Sequence, residues 1–310
     1  MLMRQILDVY DLLDRADASG AMMEEYMRSL GAENVDVTTI EGPKGKTDMI
    51  RVIIPGRKGK IAGGEAPTLG VLGRLGGLGA RPEQIGFVSD GDGALVSLAV
   101  AAKLLDMKKK GDELEGDVVV CTHICPDAPT SPHKPVPFMG SPVDMATVNK
   151  HEVNGSLDAI LSVDTTKGNR IINTRGFAIS PTVKDGYILR VSEDLLDIMQ
   201  RTTGKLPYVF AITTQDITPY GNGVFHLNSI LQPSTATDAP VVGVAITTET
   251  PVAGCATGAT HPVDLEEAAR FVLETAKAYG RGECQFYDGK EFDTLVSKYG
   301  EMKQIQTLGK

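Results

Sequence analysis

The sequence predicts an α/β protein with a mixed sheet, and three observations support this fold class. Apolar runs of about six residues, bounded by turn residues, recur along the chain and are typical of buried strands. Segments with apolar residues at helical spacing alternate with these runs. Residues 85–127 combine both patterns, because an apolar run, a long helical stretch and a second apolar run follow one another there. With 310 residues, of which 42% are hydrophobic, the chain can bury a large core.

The elements follow in order from their periodicity. Residues 1–30 give two helical patterns, broken at Ala18-Ser19-Gly20. The predicted strands are 35–40 and 49–54 as a hairpin, then 66–72, 85–89, 117–122, 158–164, a hairpin within 177–191, 208–213 and 241–247. The further predicted helices are a long one from about residue 93, then 192–203 with Ser192 as the N-cap, 265–279 after a cap at Asp264, and 290–299. Residues 126–142 are rich in proline and predict a rigid loop. We expect one domain over residues 1–310.

Charge and composition exclude several classes of function. The formal net charge is −9, which argues against a nucleic-acid surface. The basic run Lys108-Lys109-Lys110 is expected at a helix end, where cations suit the dipole. No stretch approaches the ~20 apolar residues of a membrane span, and the N-terminus predicts an amphipathic helix rather than a signal peptide. Four cysteines form no disulfide framework, so we expect four free thiols and a cytoplasmic protein.

Candidate site residues cluster where predicted strands end. In open α/β sheets, sites form beyond the carboxyl ends of the strands. Asp90 and Asp92 precede a helix, so either can act as a turn and cap residue or as a hard ligand for a metal or substrate. The other candidates follow a strand or lie in a strand-to-helix loop: His123, Cys125, Asp127, Asp164 and His261. The polar stretch 215–228 is a plausible wall for a substrate.

A glycine cluster follows the strand predicted at 66–72. It consists of Gly70, Gly73, Gly76, Gly77 and Gly79. The spacing does not match the dinucleotide-binding pattern, and no acidic residue stands about 20 positions further on. A nucleotide-binding oxidoreductase is therefore only a third hypothesis. The glycines are better explained by a close approach of the backbone to another group.

Several segments resemble a prokaryotic family catalogued as domain of unknown function 1177. The resemblance runs from Ile6 to about Phe292 and implies no known activity. The segments that carry it are APTLGVLGRLGG, GFVSDGDGA, THICPDAPTSPH, PFMGSPVDMATVN, DTTKGNRIINTRGFAISPTVK, TTQDITPYGNG and GCATGATH.

The order of segments also resembles co-catalytic zinc aminopeptidases of the glutamyl and deblocking type. The matching features are a helix with a Ser-Gly break, an Asp before a helix at Asp90 or Asp92, Val163-Asp164-Thr165 closing a strand, and His261 before an acidic helix start. Two segments depart from the pattern. Arg74 stands where the first metal-binding histidine would be and Gly76 where its partner aspartate would be, and the tandem glutamates are replaced by the stretch ending in Cys125-Pro126-Asp127.

This second resemblance implies a three-layer α/β/α sandwich with a mixed, mostly parallel sheet and no inserted lid domain. It also implies a metal-dependent hydrolase of amide bonds in small peptide-like or amino-acid-derived substrates. In that hypothesis Asp90, His123, Asp164 and His261 hold one divalent metal, expected to be zinc. Asp127 acts as the base and Arg74 grips a carboxylate of the substrate. The alternative is a non-catalytic protein that binds a small molecule or peptide in the same cleft. We expect a homo-oligomer in either case.

Overall fold

A nine-stranded mixed sheet forms the centre of the protein in the computed structural model, which describes residues 2–74, 86–153, 155–227, 229–252 and 257–309. The eleven described strands are β1 (Asn34–Gly42), β2 (Gly45–Ile54), β3 (Thr68–Gly73), β4 (Asp117–Ile124), β5 (Thr130–Ser131), β6 (Phe138–Met139), β7 (Ala159–Thr165), β8 (Gly176–Ile179), β9 (Val183–Lys184), β10 (Tyr187–Ile188) and β11 (Val241–Thr247). All of them except β5 and β6 belong to this sheet. The helices are α1 (Met3–Leu13), α2 (Gly20–Ser29), α3 (Asp92–Lys109), α4 (Met145–Glu152), α5 (Glu193–Thr203), α6 (Pro262–Gly280) and α7 (Gly289–Tyr299).

The strand order is β1-β2-β4-β3-β7-β11-β9-β10, with β8 also paired to β11. The four central strands β4, β3, β7 and β11 are parallel, whereas the strands at both edges are antiparallel. Every residue of these four central strands is buried, which is why their sequences are continuous apolar runs rather than alternating ones. The predicted α/β fold with a mixed sheet is confirmed.

Helices α1, α3 and α6 cover one face of the sheet and enclose the larger hydrophobic core. Two glycines allow α3 to approach the strands closely. A Cβ at Gly73 would lie 2.3 Å from Ser97 Oγ, and one at Gly93 would lie 2.5 Å from the carbonyl oxygen of Val163. The first turn of α3 therefore lies directly against the carboxyl ends of β3 and β7.

The opposite face, called the second face below, carries a smaller core. It is covered by α4 and by a 3₁₀ helix over Gln232–Ala236, which α4 contacts. The side chain of Asn149 in α4 donates to the carbonyl oxygen of Gln232 at 3.0 Å and ties these two coverings together. The sheet lies between two helical layers, as a three-layer sandwich requires.

Two predicted strands are absent from the described residues. Residues 86–88 are not a strand and Ser89–Gly91 is a 3₁₀ turn, while Ile85 lies outside the described residues. The βαβ unit is instead β3–α3–β4. Residues 208–213 make only an isolated bridge to β8, through hydrogen bonds of Tyr208 and Phe210 with Ile179. Phe210 is buried in the core of the second face, whereas Tyr208 and Val209 are exposed.

Several local predictions are confirmed. The Ser192 hydroxyl caps α5 by accepting from the Leu195 N–H at 3.3 Å, and the hairpin turns at Asp185 and Gly186, both with positive φ. The lysine run lies at the carboxyl end of α3. None of the described helices is long and apolar enough to cross a membrane. Cys121, Cys125 and Cys284 are free, and Cys255 lies outside the described residues.

Candidate active site

Three of the predicted site residues lie at the carboxyl ends of neighbouring parallel strands. Arg74 follows β3, His123 is the penultimate residue of β4, and Asp164 is the penultimate residue of β7. Each of the three follows, by an even number of positions, a strand residue that belongs to the core of the second face. Because successive side chains of a strand alternate between its two faces, all three side chains point to the second face. The backbone N–H of Arg74 donates to the carbonyl oxygen of Val163 at 2.7 Å, which fixes the chain just past the end of β3.

Glu152 joins two of these residues. It is the last residue of α4, a helix that begins where the Asp144 carboxylate accepts from the Thr147 N–H at 2.8 Å. Glu152 Oε2 accepts a hydrogen bond from Arg74 Nη1, and Oε1 lies 3.1 Å from His123 Nδ1. The three side chains are at most 2% exposed. We call this group the Arg74–Glu152–His123 triad.

Two nitrogen atoms of the triad are buried without a hydrogen-bond partner among the described residues, namely His123 Nε2 and Arg74 Nε. Buried polar atoms are nearly always hydrogen-bonded, so each such atom calls for an explanation. In the neutral tautomer that donates from Nδ1 to the Glu152 carboxylate, the other ring nitrogen of His123 is an acceptor. The triad thus presents one free acceptor and one free donor.

Asp164 is buried beside the triad. Its Oδ1 accepts from the Thr165 N–H at 2.7 Å and its Oδ2 from the Ser229 hydroxyl at 2.9 Å. Burial raises the pKa of the Asp164 carboxyl, although the Ser229 hydrogen bond and the charge of Arg74 act in the opposite direction. Burial, and then the charge of Asp164, raise the pKa of the neighbouring Tyr220 phenol to about 12. Asp164 is therefore a carboxyl group whose surroundings favour its protonated form.

A second buried acid lies in the first turn of α3. Asp92 is completely buried, with Lys167 Nζ 2.9 Å from Oδ2 and the Thr260 hydroxyl donating to Oδ1 at 2.7 Å. Burial raises the pKa of Asp92, and the charge of Lys167 is the main effect that opposes this rise. The sequence left Asp90 and Asp92 as alternatives, and the completely buried acid of the two is Asp92. We call this group the Asp92–Lys167 pair.

The remaining predicted residues lie outside these two groups. Asp90 is half-buried in the 3₁₀ turn before α3. His261 is at the N-cap of α6, 58% exposed, with Nδ1 3.2 Å from Asp264 Oδ2. Asp127 is exposed in the loop after β4, and its role as a base remains a prediction from the sequence. Arg74 faces Glu152 rather than solvent, which differs from the expected grip on a substrate carboxylate.

The sequence did not indicate Glu152, Lys167 or Ser229. Glu152 ends a short helix after the proline-rich loop, and a single acid there has no distinguishing pattern. Lys167 lies only three residues beyond Asp164, so its position after a buried strand was the one available signal. Gly70 and Gly73 belong to β3, whereas Gly76, Gly77 and Gly79 lie outside the described residues.

Comparisons with known proteins place this geometry in a wider context. Residues 38–309 match a family described as "Protein of unknown function (DUF1177)". The chain belongs to this family. The comparison with curated proteins found no match.

Among solved structures, the DUF1177 chain is similar to a glutaminyl cyclase from Macrostomum lignano, with a TM-score of 0.54 and 11% identity over 91% of this chain and 90% of the other. It is also similar to a cytosol aminopeptidase from Coxiella burnetii, with a TM-score of 0.52 and 15% identity over 89% and 68% of the two chains. The LapA aminopeptidase from Legionella pneumophila gives 0.51 and 9% over 93% and 71%. At these identities the likeness shows a shared fold.

The described residues of this DUF1177 protein do not fit a divalent metal. They contain no group of three or more His, Cys, Asp or Glu side chains that could hold one. The carboxylates of Glu152 and Asp92 are bound by Arg74 and Lys167, and that of Asp164 is bound by a hydroxyl and a backbone N–H. A zinc ion held by Asp90, His123, Asp164 and His261 remains a prediction from the sequence, without support from these contacts.

Proposed function

We propose that this protein hydrolyses amide bonds in small peptide-like or amino-acid-derived substrates at the carboxyl edge of its sheet. One observation carries the proposal. His123 has one ring nitrogen oriented by Glu152 and the other unpartnered within the described residues, which is the arrangement of a histidine base held by a carboxylate. Arg74 binds the second oxygen of Glu152 and thereby fixes the carboxylate.

In the proposed reaction, His123 Nε2 takes a proton from water while the water oxygen forms a bond to the carbonyl carbon of the substrate. The carbonyl oxygen gains negative charge and accepts a hydrogen bond from Arg74 Nε, the free donor of the triad. The carbon–nitrogen bond then breaks as Asp164, whose pKa is raised by burial, gives a proton to the departing nitrogen. The proton held by His123 restores the Asp164 carboxyl and completes the cycle.

The second candidate is a protein that binds such molecules without cleaving them. It is favoured by the burial of the triad, whose side chains are at most 2% exposed. The polar stretch around Tyr220 supplies a covering for a bound ligand, since its phenol lies close to Asp164 and Ser229. Under either function, a homo-oligomer and a cytoplasmic location are further proposals.

Turnover of a library of dipeptides and N-acyl amino acids, followed by release of free amine, separates the two candidates. The decisive variant is His123→Gln, which keeps an N–H for Glu152 but has no basic nitrogen. We expect the rate to fall about 10²–10⁴-fold, the usual contribution of a positioned proton acceptor. The matched control is His133→Gln, because His133 is exposed in the loop between β5 and β6, where its Nδ1 lies 3.1 Å from the carbonyl oxygen of Val136.

Both variants should give the far-ultraviolet circular dichroism spectrum of the unmodified protein. Hydrolysis by His123→Gln at the rate of the unmodified protein would remove His123 from the chemistry. Binding of library members without any amine release would favour the non-catalytic candidate.

A further inference from the structure

Two of the buried carboxylates at the carboxyl edge, those of Asp92 and Glu152, are each paired with a side-chain cation. Asp92 is completely buried and holds Lys167 Nζ at 2.9 Å, while the Thr260 hydroxyl occupies its other oxygen. Glu152 is 1% exposed and binds the Arg74 guanidinium through one oxygen and His123 through the other. Both oxygens of each carboxylate are therefore in use.

The charge balance of these groups leaves little attraction for an added metal ion. Each carboxylate carries one negative charge and each has one lysine or arginine cation against it. Burying a charge is costly unless it is paired, and both acids meet this requirement with groups of the chain itself. A divalent ion at either place would meet a fixed positive charge and would have to displace a buried cation.

The Asp92–Lys167 pair lies at a defined place in the fold, where Lys167 takes the position of a metal ion beside Asp92. Asp92 lies in the first turn of α3, which the close packing at Gly93 presses against the carboxyl ends of β3 and β7. Lys167 arrives from the loop after β7 and is 9% exposed, so its ammonium group is held within the protein rather than in solvent. The Lys167 ammonium supplies one compact positive charge and three hydrogen-bond donors, whereas a bound metal ion would supply positive charge alone.

We infer that the described part of the carboxyl edge works without a divalent metal, because Arg74 and Lys167 occupy the places beside Glu152 and Asp92 that a metal ion would need. This inference goes beyond the proposed function and does not depend on hydrolysis. It concerns the charge within the site, and its readouts are metal content and melting temperature rather than turnover.

The first measurement is made on the full chain purified without chelators. We expect elemental analysis to find divalent metal well below one equivalent per chain. We also expect the melting temperature to be the same with EDTA, zinc chloride or manganese chloride. One equivalent of bound metal, or a melting temperature that falls in EDTA, would overturn the inference.

The second measurement uses two variants of Lys167. Lys167→Ala removes the charge and leaves space beside Asp92, so we expect a lower melting temperature that zinc or manganese partly restores. Lys167→Met removes the same charge but fills the space, so we expect a lower melting temperature that neither metal restores. Lys60→Ala is the control for removing a lysine from an ion pair, because the Lys60–Asp158 pair is half-exposed and should show no metal response. Failure of both metals to raise the melting temperature of Lys167→Ala would contradict the role given to Lys167.

Discussion

The two edges of the sheet use buried acids in different ways. At the amino edge, Asp117 begins β4 and accepts backbone N–H groups of Gly56 at 2.9 Å and Ile61 at 3.0 Å. Asp158, just before β7, is half-buried and accepts from the N–H of Thr68 at 2.8 Å and from the Lys60 ammonium at 2.6 Å. These carboxylates hold loops against the strands, because each satisfies backbone donors that would otherwise lack a partner.

At the carboxyl edge, the acids bond mainly to side chains. Glu152 binds Arg74 and His123, Asp92 binds Lys167 and Thr260, and Asp164 binds Ser229 as well as one backbone N–H. Side-chain partners can change protonation or move with a ligand, whereas backbone partners cannot be exchanged. The difference fits the proposal that the amino edge serves stability and the carboxyl edge serves chemistry, since sites in open α/β sheets form beyond the carboxyl ends of the strands.

The largest expected effect comes from breaking the triad. Glu152→Leu leaves the Arg74 guanidinium buried without its counter-charge, so we expect the free energy of unfolding to fall by about 3–5 kcal/mol. The double variant Arg74→Met/Glu152→Leu removes both charges and should recover much of this loss. Urea denaturation of both proteins measures the effect. An equal loss in the single and double variants would show that the ion pair is not what makes Glu152 important.

A smaller effect is expected at the amino edge. Asp117→Ala removes the acceptor of the Gly56 and Ile61 N–H groups, of which only Gly56 is buried. Leaving one buried donor unsatisfied costs about 1–3 kcal/mol. Asp112→Ala is the control, because Asp112 is exposed, and should leave the stability unchanged. We expect Asp117→Ala to keep its ligand binding and turnover. A loss of function as large as that of His123→Gln would remove the contrast between the two edges.

Much of the fold could be predicted from the sequence because buried parallel strands are continuous apolar runs, which can be recognised locally. The runs that became β3, β7 and β11 could be recognised from apolar composition alone, and the topology rule then placed Asp164 at the carboxyl edge, whereas Arg74 was named from the resemblance to zinc aminopeptidases. The segment 208–213 has a similar apolar composition but forms only an isolated bridge, and Tyr208 and Val209 are exposed. Tertiary contacts decide this exposure, and composition does not reveal them.

The site was less accessible to sequence reasoning because its contacts are distant in the chain. Glu152 reaches Arg74 across 78 positions, and Lys167 reaches Asp92 across 75. No local pattern indicates which acid of Ser89-Asp90-Gly91-Asp92 will find such a partner. The choice is made by the packing of α3 against the strand ends, which the sequence pattern does not contain.

The smallest expected effect is a gain in stability that depends on pH. Burial raises the pKa of Asp164 above its ordinary value of 3.8, so the folded protein binds this proton more tightly than the unfolded chain does. The contribution of Asp164 to stability is therefore fully present below pH 3.8 and is lost as pH rises through the folded pKa.

Asp164→Asn removes this dependence and keeps an oxygen for the Thr165 N–H. We expect it to gain stability relative to the unmodified protein as pH rises from about 4, until the difference becomes constant above the folded pKa of Asp164. Urea denaturation at several pH values measures this, with Asp112→Asn as the exposed control. The same variant should lose turnover because its amide cannot give a proton to the departing nitrogen. A variant that loses stability with rising pH as the unmodified protein does would show that Asp164 is an ordinary charged carboxylate. In that case the carboxyl edge would resemble the amino edge more closely than the bonds of Asp164 indicate.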